Sequence, residues 1–157
     1  MAIDEDKIIQ LARGRPAKAG SLIEVGGPVD SVCVTLAIYG DDLDPDWITQ
    51  ALGVPPDSSY RKGDPRRGGQ PAHRGGGWFR ERVGDAPQTA ETLTEALLEP
   101  LPEATAEVWS TLGQYYDVQL HYAMFLYSFN RSFDLSANLA WRIAAMRLRI
   151  RCDIYAN

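Results

Sequence analysis

The alternation that closes the chain constrains its fold more than any other feature. Leu148, Ile150, Cys152 and Ile154 alternate with Arg147, Arg149, Arg151, Asp153 and Tyr155. Successive strand residues face opposite sides, so this segment presents one apolar face to a core and one polar face away from it. A helix would scatter the same residues around its circumference. A second alternation, Val32, Val34, Leu36 and Ile38 against Cys33, Thr35, Ala37 and Tyr39, ends at the turn signal Gly40-Asp41. One-sided strands near both ends of the chain predict a sheet covered by helices on one face and open to solvent or a partner on the other.

Between these strands the punctuation is explicit. Asp44 as a cap, Pro45 at the first helical position and Gly53 just past the end bracket Trp47, Ile48, Ala51 and Leu52 as a short helix. Ser58 to Lys62 and Gly77 to Val83 read as strands joined by a glycine-rich connection, expected to be a mobile hairpin. Thr89 opens a helix carrying Leu93, Ala96, Leu97 and Leu101. Pro100 and Pro102 break it before a second piece that runs through Val108, Trp109 and Leu112 to Gly113. Val118 to Tyr127 is a long aromatic strand, and Ser136 caps a last helix with Leu139, Ile143, Ala144 and Met146. The expected order is β-α-β-β-α-α-β-α-β. It describes an α+β two-layer sandwich with a mainly antiparallel or mixed sheet of about five strands and helices on one face.

Length and composition agree with one domain. The chain has 157 residues, 45% hydrophobic and 24% charged, which suits an ordinary globular core. Residues 1–30 read as an accessory leader: Ile3, Ile8, Ile9 and Leu11 fit one short amphipathic helix, after which glycines and prolines interrupt every pattern. The domain proper is expected over 31–157. The acidic start Met1-Ala2-Ile3-Asp4-Glu5-Asp6 is unlike a secretory signal, and no run is long and apolar enough for a membrane helix, so the expected place is the cytoplasm, with no membrane partner.

The net charge of −5 argues against a nucleic-acid partner, but it hides a segregation. From Arg61 to Arg82 there are seven basic residues and two acidic ones. Cys33 and Cys152 form no CxxC pair, and the expectation is two buried free thiols, with no zinc site.

The segment Val34-Thr35-Leu36-Ala37-Ile38-Tyr39-Gly40-Asp41-Asp42-Leu43-Asp44-Pro45-Asp46, with Ile48, Leu52-Gly53, Arg61-Lys62-Gly63-Asp64-Pro65 and Gly77-Trp78, resembles the opening of the uncharacterised DUF4279 family. Phe133-Asp134-Leu135-Ser136 and Asp153-Ile154-Tyr155 are similar to that family's end. The resemblance runs from about residue 31 to 157, with a glycine-rich expansion after Asp64. It implies no assigned reaction, cofactor or catalytic residue. Its prior is an interaction role of the immunity-like kind found among small bacterial domains.

Three chemistries are weighed against plainer readings. The acidic run from Asp41 to Asp46 matches a calcium loop at its first positions but has Trp47 and Gly53 where glycine and glutamate are required, so a turn and helix cap explain it better. Gly63 to Gly68 has Walker-like spacing, yet Gly69 and Gln70 stand where lysine and a hydroxyl residue belong. His73 and His121 are the only histidines, and no nucleophile motif accompanies either, with Asp117 and Glu81 the weak acidic candidates beside His121.

A basic recognition surface is the functional reading that remains. Arg61, Lys62, Arg80 and Arg82 flank the glycine-rich connection beside Trp78, and Arg147, Arg149 and Arg151 form a second stripe on the last strand. Tyr115, Tyr116, Tyr122, Phe125, Tyr127, Phe129 and Phe133 are expected to be mostly core, with exposed tyrosines joining the arginines. The expectation is a non-catalytic protein-interaction module with an unidentified protein partner or a homodimer, and with no cofactor and no metal. A small-anion or nucleotide-like sensor with a pocket around Trp78 and Arg80 is the alternative, and an enzyme ranks third.

Overall fold

The computed structural model describes residues 26–127 and 130–156. The N-terminal helix expected around Ile3 to Leu11, most of the leader, and Phe129 lie outside the described residues. The elements run β1 (Gly27–Pro28), β2 (Ser31–Gly40), α1 (Pro45–Leu52), β3 (Ser58–Tyr60), β4 (Gly76–Asp85), α2 (Ala90–Leu98), α3 (Glu107–Tyr115), β5 (Asp117–Leu126), β6 (Arg131–Ser132), α4 (Ala137–Ala145) and β7 (Arg149–Ala156), with a 3-10 turn over Arg67–Gly69. Apart from the two-residue pair β1 and β6, the order is the expected one. The fold is α+β, with a five-stranded mixed sheet in the order β3-β4-β2-β5-β7. Strand β2 runs antiparallel to both β4 and β5, and β7 runs parallel to β5.

Local chemistry sets the helix ends. Asp44 accepts a hydrogen bond from the Asp46 N–H at 3.0 Å, and Gly53 closes α1 at φ 71°, donating its N–H to the Thr49 carbonyl at 2.9 Å. Thr89 and Thr92 cap α2 reciprocally, each hydroxyl accepting the other's backbone N–H. Ser136 accepts from the Leu139 N–H at 3.3 Å to start α4. Gly113 lies within α3 and does not end it, because the helix continues to Tyr115.

The register assigns the faces. Val32, Val34, Leu36 and Ile38 of β2 lie beside Met124, Tyr122, Leu120 and Val118 of β5, and all eight are buried against Ile48, Leu97, Leu98, Trp109, Leu112 and Ile143 of the helices. Inside this layer the Thr94 hydroxyl donates to the Ala90 carbonyl at 2.6 Å and lies 2.9 Å from the Tyr122 hydroxyl. Burial pushes the Tyr122 phenol up to about 12. At the strand ends, Asp30 receives Arg131 through two nitrogens, at 2.6 and 3.0 Å, and accepts the Tyr127 N–H at 2.8 Å. This joins the segment after β5 to the start of β2. Among the described residues, no helix is long and apolar enough to cross a membrane.

Candidate functional site

Strand order separates the two arginine stripes. Arg80 pairs across β2 with Leu36, and Arg82 with Val34, so both arginines share the helix-side face with Trp78. Trp78 is fully buried, and its indole N–H donates to the Thr49 hydroxyl at 3.1 Å. The expected aromatic surface beside the arginines is therefore a core residue, since β4 runs through the sheet interior where a large side chain must be covered. Arg80 and Arg82 are both engaged locally: Arg80 donates to the Pro55 carbonyl at 2.9 Å, and Arg82 lies 3.8 Å from Asp57. The turn after α1 covers this edge and uses both side chains.

Arg149 and Arg151 stand on the opposite, open face, where the register aligns them with Gln119 and His121 of β5. Arg147 does not belong to that stripe. It precedes β7 in the left-handed region, at φ 56°, and borders a hollow with Ser110, Gly113 and Gln114. The single cationic face that would join all eight candidates does not form.

Arg61 and Lys62 leave the ladder because β3 ends at Tyr60, where the Arg61 N–H turns to the Asp64 carboxylate at 2.7 Å. Arg61 then reaches Asp44 and Asp46 at 2.6 Å each, and Lys62 reaches Asp42 at 3.2 Å. The acidic run thus answers the basic one. The Asp46 N–H and the Arg61 guanidinium hold the Asp44 carboxyl below its ordinary range. What remains uncompensated lies further along the hairpin: among the described residues, Arg66, Arg67 and Arg74 make no ion pair.

The hairpin is more ordered than its glycine content suggests. Gly63 N–H donates to the His73 carbonyl at 2.8 Å, and His73 N–H donates to the Asp64 carbonyl at 3.0 Å. The His73 ring stacks on Tyr60 with centroids 3.6 Å apart, and Arg66 Nε donates to His73 Nδ1 at 3.3 Å. That bond makes Nδ1 the acceptor and leaves Nε2 as the protonated nitrogen. Gly76 and Gly77 are buried strand residues. A Cβ on Gly76 would collide with the Leu43 carbonyl oxygen, and one on Gly77 would sit 2.6 Å from the Tyr60 ring, so the glycines serve close approach.

These contacts build a groove at the end of the open face. It has a volume of about 360 Å³, and Tyr39, Tyr60, Arg66, His73 and Arg74 line it together with Asp41 and Asp117. Burial raises the Tyr39 phenol above its ordinary value, with Tyr60 and Asp117 adding to the effect, so it stays a neutral hydrogen-bonding group. Phe79 meets Tyr39 edge-on at 5.3 Å and extends the aromatic surface along the sheet. The groove residues come from β2, β3, the hairpin and the start of β5. No single stretch of sequence carries them, although Gly75-Gly76-Gly77 is a signal of close backbone approach.

Elsewhere on the open face, His121 Nε2 lies 2.9 Å from Asp153, and Arg149 reaches Asp117 at 2.8 Å and Gln119 at 3.1 Å. The His121 bond holds the Asp153 carboxyl below its ordinary range, with Arg151 assisting. Asp153, and neither Asp117 nor Glu81, is thus the acidic partner of His121. Burial, with Glu81 adding, raises the Cys33 thiol, the reverse of what an activated nucleophile requires. Cys33 is half-buried on the open face, and Cys152 is exposed on the helix side, so the two free thiols are not both buried and stand on opposite sides of the sheet. Among the described residues of the aromatic tract, Tyr122 alone is fully buried, while Tyr115 and Tyr127 are exposed.

The family model described as a domain of unknown function, DUF4279, matches residues 30–157. No curated protein and no solved structure matches the chain.

Proposed function

The chain belongs to the DUF4279 family, a domain of unknown function, and from that premise we propose that it is a non-catalytic recognition module for a protein bearing exposed carboxylates. One observation carries the reading: two hairpin arginines that make no ion pair among the described residues, Arg66 and Arg74, line an aromatic groove at the end of a sheet face that no described helix covers, with Arg67 in the adjoining hollow beside Arg66. Arginine forks suit carboxylates, and tyrosine beside arginine is the usual composition of a protein interface. Arg149 and Arg151 stand on the same open face, paired with Asp117 and Asp153, whereas Arg61, Lys62, Arg80 and Arg82 act within the fold. The free thiols are at home in a reducing compartment such as the cytoplasm.

A second reading has its own support. The groove is concave, and it places the Arg66 and Arg74 side chains with the His73 ring around one volume, which suits a small anion. Affinity capture from the native lysate, followed by native mass spectrometry at low and moderate salt, separates the two readings. The first predicts a stoichiometric protein partner that the double variant Arg66→Glu/Arg74→Glu loses. The second predicts a bound small mass, lost in the same variant. Retention of the same partner by the variant refutes the groove in both versions.

A further inference from the structure

The two edges of the sheet are built differently. The β3 edge is three residues long and gives way to the hairpin, a blunted edge of the kind that resists pairing. The β7 edge is eight residues long, contains no proline, and keeps unbroken register with β5 from Gln119↔Arg149 to Leu126↔Ala156. Among the described residues β7 pairs with β5 alone. No described strand lies along its outer row of backbone groups, and Ile150 and Ile154 are 47% and 65% exposed on the helix side.

The sequence of β7 is complementary to itself. Antiparallel pairing about a twofold axis places side chains of the same sheet face opposite one another, so the axis must pass between the two copies of a single residue. Centring on Arg151 or Asp153 sets like charges opposite each other, and centring on Ile150 sets Arg149 opposite Arg151 twice. Centring on Ile154 leaves most of the strand unpaired. Centring on Cys152 resolves every position. Arg151 then faces Asp153 of the second copy, Arg149 faces Tyr155, Ile150 faces Ile154, and Cys152 faces itself, each mixed pair occurring twice. Salt bridges and a cation–aromatic contact form on one face, and aliphatic contacts form on the other.

We propose that two copies of this chain associate through antiparallel pairing of β7 with β7, centred on Cys152, continuing two five-stranded sheets into one of ten strands. The pairing leaves the groove free and places two open faces side by side, so the dimer is a bivalent form of the recognition surface.

Cys152 provides the test. Directly opposed antiparallel residues have Cα atoms about 4.5–5.5 Å apart, within the range a disulfide spans. The full chain carrying Cys33→Ser is treated with diamide, which accepts the two protons and two electrons released as the Cys152 thiols join. A covalent dimer on a non-reducing gel is expected, with none from Cys152→Ser. Light scattering of the unoxidised protein should give twice the monomer mass. D153R sets arginines opposite each other twice and should weaken dimerisation roughly tenfold or more, and R151D/D153R, which restores opposite charges, should recover it. The swap also restores the in-chain Arg151–Asp153 pair at 3.4 Å, so circular dichroism of D153R, expected to match the parent, separates loss of pairing across the interface from damage to the fold. A monomer at all concentrations with no Cys152 cross-link overturns the proposal, as does a dimer indifferent to D153R.

Discussion

The hydrogen bond between α2 and β5 makes a sharp prediction about stability. Thr94 and Tyr122 are both fully buried, and the Thr94 hydroxyl spends its proton on the Ala90 carbonyl, so the 2.9 Å contact is donated by Tyr122. Thr94→Val keeps the branched shape but strands the phenolic O–H in the core. An orphaned buried donor costs about 1–3 kcal/mol. Tyr122→Phe removes the donor itself and leaves Thr94 bonded to Ala90, so its cost should be the net worth of one hydrogen bond, about 1 kcal/mol. The double variant removes both polar groups together and should be less destabilised than the sum of the two singles. Urea unfolding followed by circular dichroism measures all three at unchanged slope. If Thr94→Val is no more destabilising than Tyr122→Phe, or if the two changes simply add, the assignment of donor and acceptor is wrong.

Three further substitutions probe the backbone and the open face. Gly76→Ala should destabilise by more than about 2 kcal/mol, because its Cβ would meet the Leu43 carbonyl, whereas Gly113→Ala, with open space inside α3, should stabilise by about 0.4–1 kcal/mol, both read from denaturant midpoints. The depressed Asp153 carboxyl contributes stability that is present above the ordinary carboxylate pKa, about 3.9, and lost as pH falls through its folded value. Asp153→Asn should therefore lower stability at neutral pH and flatten the acid limb of the stability–pH curve; an unchanged acid limb would show that the His121 contact carries no such linkage.

The element order was readable because each element carries local evidence: alternation in β2 and β7, the Asp44 and Thr89 caps, and the prolines between α2 and α3. Strand order was not, since no local pattern states which strands are neighbours. The error over Trp78 had a local remedy. Trp78, Arg80 and Arg82 share one parity, so a buried Trp78 carries the two arginines to the helix side and leaves Phe79, Glu81 and Val83 on the open one. Composition likewise misled at the hairpin. A glycine run serves mobility or close approach, and the side chains that decide between them, Leu43 and Tyr60, are distant in sequence from at least part of it. The partnering of Arg61 with Asp44 and Asp46 turned the most obvious cations into structural ones and left Arg66, Arg67 and Arg74 of the hairpin without an ion pair among the described residues.

The placement of the four tryptophans divides the protein optically. Trp78 and Trp109 are sealed between the layers, while Trp47 and Trp141 are 41% and 63% exposed on α1 and α4. An aqueous quencher such as iodide therefore reaches two indoles, both carried by helices, and a partner seated on the open sheet face leaves that reachable pair uncovered. A partner on the helical layer shields it. The native emission thus reports which side of the molecule is occupied, with no label added.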